Sequence, residues 1–394
     1  MPARSPLAAV FLTVVVDLIG FGIVIPLLPL YAAQFGASGL QVGLLMTVYS
    51  AAQLVAAPLW GRLSDRVGRR PVLLVSLVGS TLSYALAAAA PSLAILFVAR
   101  LLGGIAGGNI AAAQAYVADV TSPEERAKGM GMIGAAFGIG FVLGPAIGGG
   151  LVGFGAHAPF VGAAVLCGVN LALAFFRLPE PARRAAPDAG GAAARRLDLR
   201  GLGRALRDRR LMPLLLLFFF ATFAMANLES TFALMTHRVF HYGNRENAFL
   251  FTFIGVMLAV TQGGLVGRLS KRFGEPALIV VGLLMTAVGL FAVPYARDLW
   301  HLLAILGVFA FGSGIATPSI SSAISRTAHA DVQGGVLGAG QSMSSLARVI
   351  GPAVGGFAFD RFGVPAPYLV GASVMGLAWT ISLTLLRPPA ARAR

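Results

Sequence analysis

"GRLSDRVGRRPVLL", residues 61–74, places five charged side chains in its first ten positions, in a chain where only 11% of residues are charged and 57% are hydrophobic. A shorter version, "GRLSKRFG", returns at 267–274, an offset of 206 residues. A second pair, "GPAIGG" at 144–149 and "GPAVGG" at 351–356, repeats at an offset of 207, so the two repeats are in register. A weak echo between two halves is how a duplicated membrane fold shows itself in sequence.

Composition identifies the solvent. A mean hydropathy of +0.82 over 394 residues excludes a soluble globule, whose charged share is about 25%. A hydrocarbon core about 30 Å thick takes roughly 20 apolar residues as helix, and open strands are excluded because their backbone groups would go unsatisfied. Apolar runs fall near 7–31, 40–61, 71–90, 92–118, 128–153, 158–178, 212–238, 246–268, 275–296, 299–323, 333–358 and 364–387. The expected class is therefore an all-α integral membrane protein with 12 transmembrane helices in two six-helix bundles, residues 1–178 and 212–394. Residues 179–211, rich in Pro, Ala, Gly and Arg, read as a cytoplasmic linker with a turn or two lying on the anionic leaflet. Spans three and four are separated mainly by Pro91. The N-terminal run is read as the first span, being too long for the core of a secretory signal and carrying Asp17 in its middle.

The net charge of +15 follows the lipid boundary and forms no single basic domain, so no nucleic-acid partner is expected. With both termini cytoplasmic, 24 of the 30 Lys and Arg residues lie on that side, 4 lie opposite, and Arg100 and Arg348 lie inside spans. That asymmetry favours cytoplasmic termini, and with Gly-, Ala- and Arg-rich usage suggesting a bacterium, a multi-pass protein of a bacterial inner membrane is expected. The single Cys167 permits no internal disulfide, and no Cys/His cluster has metal-ligand spacing, so neither a metal nor a cofactor is expected. The five histidines lie near span ends or loops and read as interfacial.

Four ionisable residues fall well inside spans: Asp17, Arg100, Glu229 and Arg348. Each costs at least about 2.5–3.5 kcal/mol there, which makes a functional role the default and structural ion pairing the alternative. On the fourth span, Arg100, Gly104, Gly107, Ala111 and Gln114 share one face, and on the seventh Thr222, Glu229 and Thr236 recur at seven-residue steps. Burial favours the neutral form of a carboxyl, the property a proton carrier needs, so Asp17 and Glu229 are the carrier candidates. Glu229 reads equally as a carrier or as the contact for a cationic substrate, and structural pairing with Arg348 is the alternative. A substrate cavity near mid-membrane would draw on Tyr49, Gln53, Asn109, Gln114, Asn227, Gln262, Gln341 and Arg348, with Phe223 and Phe232, although interhelical hydrogen bonding explains any one polar residue as well.

"GRLSDRVGRRPVLL" resembles the loop motif between helices two and three of the major facilitator superfamily, and "GIGFVLGPAIGGGL" at 138–151 resembles the helix-five motif of its drug/proton antiporters. With "ARLLGGIAGGNIAAAQAYVADVTSPEERAKGMG" at 99–131 and "DLIGFGIVIPLLP" at 17–29, the chain is similar over essentially its whole length to the twelve-helix branch that includes the tetracycline/proton antiporters. The loop itself suggests a tight turn at Gly61 and Gly68, with Asp65, Arg69 and Arg70 near the helix ends. The resemblance makes it a cytoplasmic latch engaging the acid at the end of helix four, Asp119. Lys271 stands where the first copy has Asp65, so an asymmetric latch is expected. Gly134, Gly138, Gly144, Gly148 and Gly149, with Pro145, describe a smooth, bendable helix, and "GPAVGG" makes helices five and eleven matching sliding faces. The resemblance, and not charge or spacing, implies export, and gives Arg100 the task of occupying the carrier carboxylate when it holds no proton.

Two departures bear on substrate. Where tetracycline exporters carry an acid before a helix-three tyrosine, this chain has Ser83 before Tyr84, and residues 278–291 hold no acid. A broader range of small amphipathic drugs or metabolites is expected over a metal-chelated tetracycline. An enzyme is not expected, because no HExxH, GxSxG or Walker pattern occurs. The remaining alternatives are a proton-coupled importer, a metabolite exporter and a non-transporting receptor. Partners should be the substrate, protons and the bilayer, with the protein a monomer.

Overall fold

The computed structural model describes residues 6–122, 125–181, 208, 211–327 and 333–386, which leaves most of the expected linker outside the described residues. In chain order the helices are α1 (Pro6–Val24), α2 (Leu28–Ala33), α3 (Gly39–Val67), α4 (Arg69–Ala88), α5 (Leu93–Gly107), α6 (Ile110–Val120), α7 (Arg126–Leu151) and α8 (Ala158–Arg177). There follow α9 (Leu211–Phe240), α10 (Asn244–Val260), α11 (Val266–Phe273), α12 (Glu275–Ala292), α13 (Leu299–Thr327), α14 (Gln333–Phe362) and α15 (Ala366–Ser382). Among the described residues 11 helical stretches are long and apolar enough to cross a bilayer, and α14, 30 residues long and rich in Gly and Ser, runs beside α9 as a further long helix.

Local chemistry explains where the helices stop. Pro26 cannot donate to the turn before it, and α1 gives way at Ile25–Leu27 before α2 resumes. Pro91 separates α4 from α5, and Ser92 caps α5 by accepting from Ile95 N at 3.5 Å. The second span is longer than its apolar run: α3 continues through Pro58 and Gly61 to Val67. Gly61 therefore makes no turn, and the whole reversal falls on Gly68, whose φ of +109° a side chain would strain.

The chain divides into two compact units, Met1–Ala37 with Leu45–Leu197 and Tyr242–Thr252, and Ser38–Leu44 with Asp198–His241 and Phe253–Arg394. In the first, α7 lies directly on α1. A Cβ at Gly144 would fall 2.5 Å from Gly22 Cα, one at Gly140 2.7 Å from Leu18 O, and one at Gly148 3.1 Å from Ile23 O. Gly149 faces Ala248 at the start of α10, whereas Gly134 and Gly138 meet nothing within 4 Å. The second unit repeats the scheme with α14 on α9: a Cβ at Gly351 would fall 3.0 Å from Phe223 O and one at Gly355 2.6 Å from Asn227 Oδ1, while Gly356 abuts the Gly39 backbone. Helices α7 and α14 thus correspond, each seated on the first long helix of its own half. Asp360, at the end of α14, caps α3 by accepting from Gly39 N and Leu40 N, both at 2.8 Å.

Gly144→Val is expected to destabilise the protein by about 1–3 kcal/mol through forced separation of α1 and α7, whereas Gly138→Val should leave the unfolding midpoint in detergent unchanged. Equal effects at the two positions would show that α7 glycines act through helix flexibility and not through backbone contact.

Candidate functional site

The charged loop is built around one buried cation. Arg69, 8% exposed, donates from Nη1 to Asp65 Oδ1 at 2.5 Å and Ser64 Oγ at 2.7 Å, and from Nε to Asp119 Oδ2 at 2.7 Å. The expected latch residues Asp65, Arg69 and Asp119 therefore meet, with the arginine shared between two carboxylates. Arg70 reaches the end of α8, donating to Phe175 O at 2.6 Å with its guanidinium 5.5 Å above the Phe175 ring. A cation belongs at a helix C-terminus, where carbonyls lack partners.

Glu180 completes the cluster, although in sequence it falls within 179–211, a stretch with the composition of a linker. Its carboxylate accepts from Arg69 N at 2.7 Å and Arg70 N at 2.9 Å, closing the N-terminus of α4. Gly68 makes room for it, since a Cβ there would fall 2.8 Å from Glu180 Oε1. The available signal was an acid held between Pro179 and Pro181 immediately after a span.

The second copy of the loop carries the opposite charges. At offsets of 206 and 207, Lys271, Glu275 and Arg326 occupy the places of Asp65, Arg69 and Asp119. Glu275, at the start of α12, accepts from Ser322 Oγ at 2.6 Å and pairs with Arg326 Nη2 at 3.3 Å. The asymmetry expected from Lys271 alone thus extends to all three positions.

Around mid-span, helix four is interrupted between α5 and α6 at Gly108 and Asn109. Side chains of α3 bind the carbonyls at the break: Gln53 Nε2 donates to Gly107 O at 2.8 Å and Trp60 Nε1 to Ile105 O at 2.6 Å. Glycines permit the approach, a Cβ at Gly108 falling 2.9 Å from Ala57 N. Asn109 Nδ2 donates to Ser76 Oγ at 2.8 Å and to Asp17 Oδ2 at 3.4 Å, tying α1 to the break. Arg100 forms no ion pair with Asp17; its guanidinium lies 4.2 Å from the Tyr49 ring centroid and its buried Nε has no hydrogen-bond partner. Tyr84 is within electrostatic reach of both charges. Ser83 donates to Ala99 O at 2.8 Å and is pressed against Gly103, where a Cβ would fall 2.6 Å from its Oγ. The site thus brings together Asp17, Tyr49, Gln53, Arg100 and Asn109, while Gln114 is exposed.

In the second unit, Glu229 on α9 is buried within electrostatic reach of the half-buried Arg348 on α14, and the two form no ion pair. Asn227, two residues earlier on α9, has a buried Nδ2 without a partner among the described residues. Thr222 Oγ1 contacts Ser344 Oγ at 3.3 Å, whereas Thr236 bonds within its own helix and Phe223 and Phe232 are buried. Gln341 is exposed on α14, and Gln262 is exposed in a π-turn, Thr261–Leu265, that joins α10 to α11.

Either Asp65→Asn or Asp119→Asn leaves Arg69 one carboxylate, and the double substitution strands a buried cation, so the two losses of stability should be more than additive. Simple additivity of the unfolding midpoints would show two independent surface pairs. Glu180→Ala removes both caps of α4 and should cost about 1–2 kcal/mol.

The family model "Major Facilitator Superfamily" matches residues 10–352 and, in a second match, 263–394. A tetracycline resistance protein, class C, of Escherichia coli is 33% identical over 98% of this chain and 95% of its own. Human major facilitator superfamily domain-containing protein 10 is 31% identical over 93% of this chain and 90% of its own. The crystal structure described as the human organic anion transporter MFSD10 (TETRAN) superposes with a TM-score of 0.70 at 29% identity, covering 97% of this chain and all of that one. An inward-facing bacterial homologue of the human lysosomal transporter Spinster gives a TM-score of 0.80 at 17% identity over 99% of this chain and 100% of its own, a likeness of fold alone. Sequence repeats, paired charged loops and glycine-seated helices belong together because this chain is a multi-pass membrane transporter, not an enzyme, of the major facilitator superfamily and is related to the tetracycline resistance proteins.

Proposed function

We propose that the protein exports small amphipathic compounds in exchange for protons, by alternating access in a bacterial inner membrane with both termini cytoplasmic. The observation that carries this reading is the hydrogen bond from Asn109, at the interruption of helix four, to the carboxylate of Asp17. An ionised Asp17 only accepts hydrogen bonds, whereas a protonated one also donates. Arrival of a proton therefore changes what Asn109 is offered, and the change is delivered where the helix lacks its regular hydrogen bonds. Glu229 is the second carrier in this scheme, with Arg348 on α14 as a further substrate contact. Tyr49 and Asn227 supply further substrate contacts, and the Asp65–Arg69–Asp119 cluster acts as the cytoplasmic latch. The protein is read as a monomer.

A second reading has its own observation. Arg100 is 5% exposed and pairs with no acid among the described residues, and a buried cation without a counter-charge is a natural seat for an anionic substrate group. The printed description of the relative MFSD10, an organic anion transporter, points the same way. In this version Asp17 still carries the proton and Arg100 holds the substrate.

Proteoliposomes with an internal pH dye separate the readings when challenged with lipophilic cations, tetracycline-like compounds and aromatic carboxylates. Substrate-dependent proton release from the lumen should be lost in Asp17→Asn, whose side chain keeps the shape and a hydrogen-bond acceptor without exchanging a proton, while its unfolding midpoint stays unchanged. Gradient-driven transport by Asp17→Asn would remove Asp17 from the mechanism. Response to carboxylates alone, lost in Arg100→Gln, would select the anion reading.

A further inference from the structure

The second charged loop leaves three cations that the mechanism does not use. Arg268, Lys271 and Arg272 stand at positions i, i+3 and i+4 of α11, on one face of the helix, and all three are exposed. Among the described residues none forms an ion pair. The acid nearest in sequence, Glu275, is engaged by Ser322 and Arg326. The position that would have supplied an acid by analogy with Asp65 is Lys271 itself. In the first loop the corresponding core is closed on itself, Arg69 being shared by two carboxylates.

Depth in the bilayer follows from length. The stretch Asn244–Phe273 runs 30 residues, about 45 Å at 1.5 Å per residue, which equals the roughly 40–45 Å of a bilayer with its headgroups. Its last turn therefore ends at headgroup level, with the charged side chains among phosphates. Phe273, 55% exposed at the end of the same turn, offers a ring to the acyl boundary, with Arg272 lying 5.2 Å from its centroid. Basic side chains flanking an exposed aromatic at this depth match an anionic glycerophospholipid: phosphodiester oxygens for the cations, glycerol and upper acyl carbons for the ring.

We propose that Arg268, Lys271, Arg272 and Phe273 form a binding site for the headgroup of an anionic phospholipid, present in the second half of the protein and absent from the first. A site of this kind needs net positive charge without an internal counter-ion, and the replacement of Asp65 by Lys271 at the equivalent position creates that condition. It depends on the loop lying at the bilayer edge and not on the identity of the transported compound.

The test titrates the purified, detergent-solubilised full chain with phosphatidylglycerol or phosphatidylcholine and counts retained lipids by native mass spectrometry. Wild type should retain phosphatidylglycerol in preference to phosphatidylcholine. The triple variant Arg268→Gln/Lys271→Gln/Arg272→Gln should bind phosphatidylglycerol more weakly by about fivefold per charge removed, on the order of 100-fold in total. Arg62→Gln, the exposed counterpart of Arg268 in the first loop, should leave retention unchanged. Equal retention by wild type and the triple variant would overturn the proposal, and so would an equal loss in Arg62→Gln, which would reduce the effect to total charge. Complete displacement of the lipid by millimolar inorganic phosphate would assign the cations to a free anion and also overturn it. If the triple variant unfolds, Lys271→Gln alone is measured, with a fivefold loss expected and no loss counting against the site.

Discussion

Direct backbone contact between α1 and α7 is the constraint around which the first unit is organised, and the contact of α9 with α14 does the same in the second. Helices in lipid gain nothing from burying leucine against leucine, because the surrounding acyl chains are equally apolar. They gain from close approach, and glycines at 22, 140, 144 and 148 allow it where any side chain would intervene. Seating α7 on α1 fixes the depth at which Asp17 stands. The same logic at Gly103, Gly104, Gly107 and Gly108 brings α3 against the broken fourth helix, so that Gln53 and Trp60 can bind its loosened carbonyls.

Polar chemistry inside such a scaffold must be compensated locally or used. The interruption at Asn109 is compensated: three side chains from two other helices, α1 and α3, meet it, and one of them is Asp17. Arg100 and Asn227 are less completely served, each with one buried nitrogen lacking a partner. An unsatisfied buried group costs about 1–3 kcal/mol, a cost that a bound ligand can remove. Asn227 lies on the helix of Glu229 and Arg100 in the unit of Asp17, so both are places where binding has something to gain.

The duplicated architecture and the apolar spans were legible because they rest on composition and repetition, and Asp65 beside Arg69 because it rests on short-range spacing, whereas the place of Asp119 came only from the family resemblance. Gly61 was misread as a turn residue because a glycine beside charges suggests a loop, whereas here the charges extend α3 past the hydrocarbon boundary to Gly68. Glu180 was not legible, since its partners lie more than a hundred residues away and its own neighbourhood reads as linker. Asp360 escaped for the same reason: capping a helix start some 320 residues distant leaves no local pattern. The position of Arg100 over Tyr49 was equally closed to sequence, because a face shared with small residues says which way a side chain points and not what it meets.

The reversed signs of the two loops bear on how a duplicated chain assembles. In such a chain each helix has a near-copy elsewhere that could compete for its partner during insertion. Arg69 attracts Asp119, and Glu275 attracts Arg326. Crossing the partners would set Arg69 against Arg326 and Glu275 against Asp119, so both wrong pairings are repulsive where both right ones are attractive. Opposite polarity at equivalent positions therefore labels each helix with the half to which it belongs, and the two bundles can sort themselves while still carrying nearly the same loop.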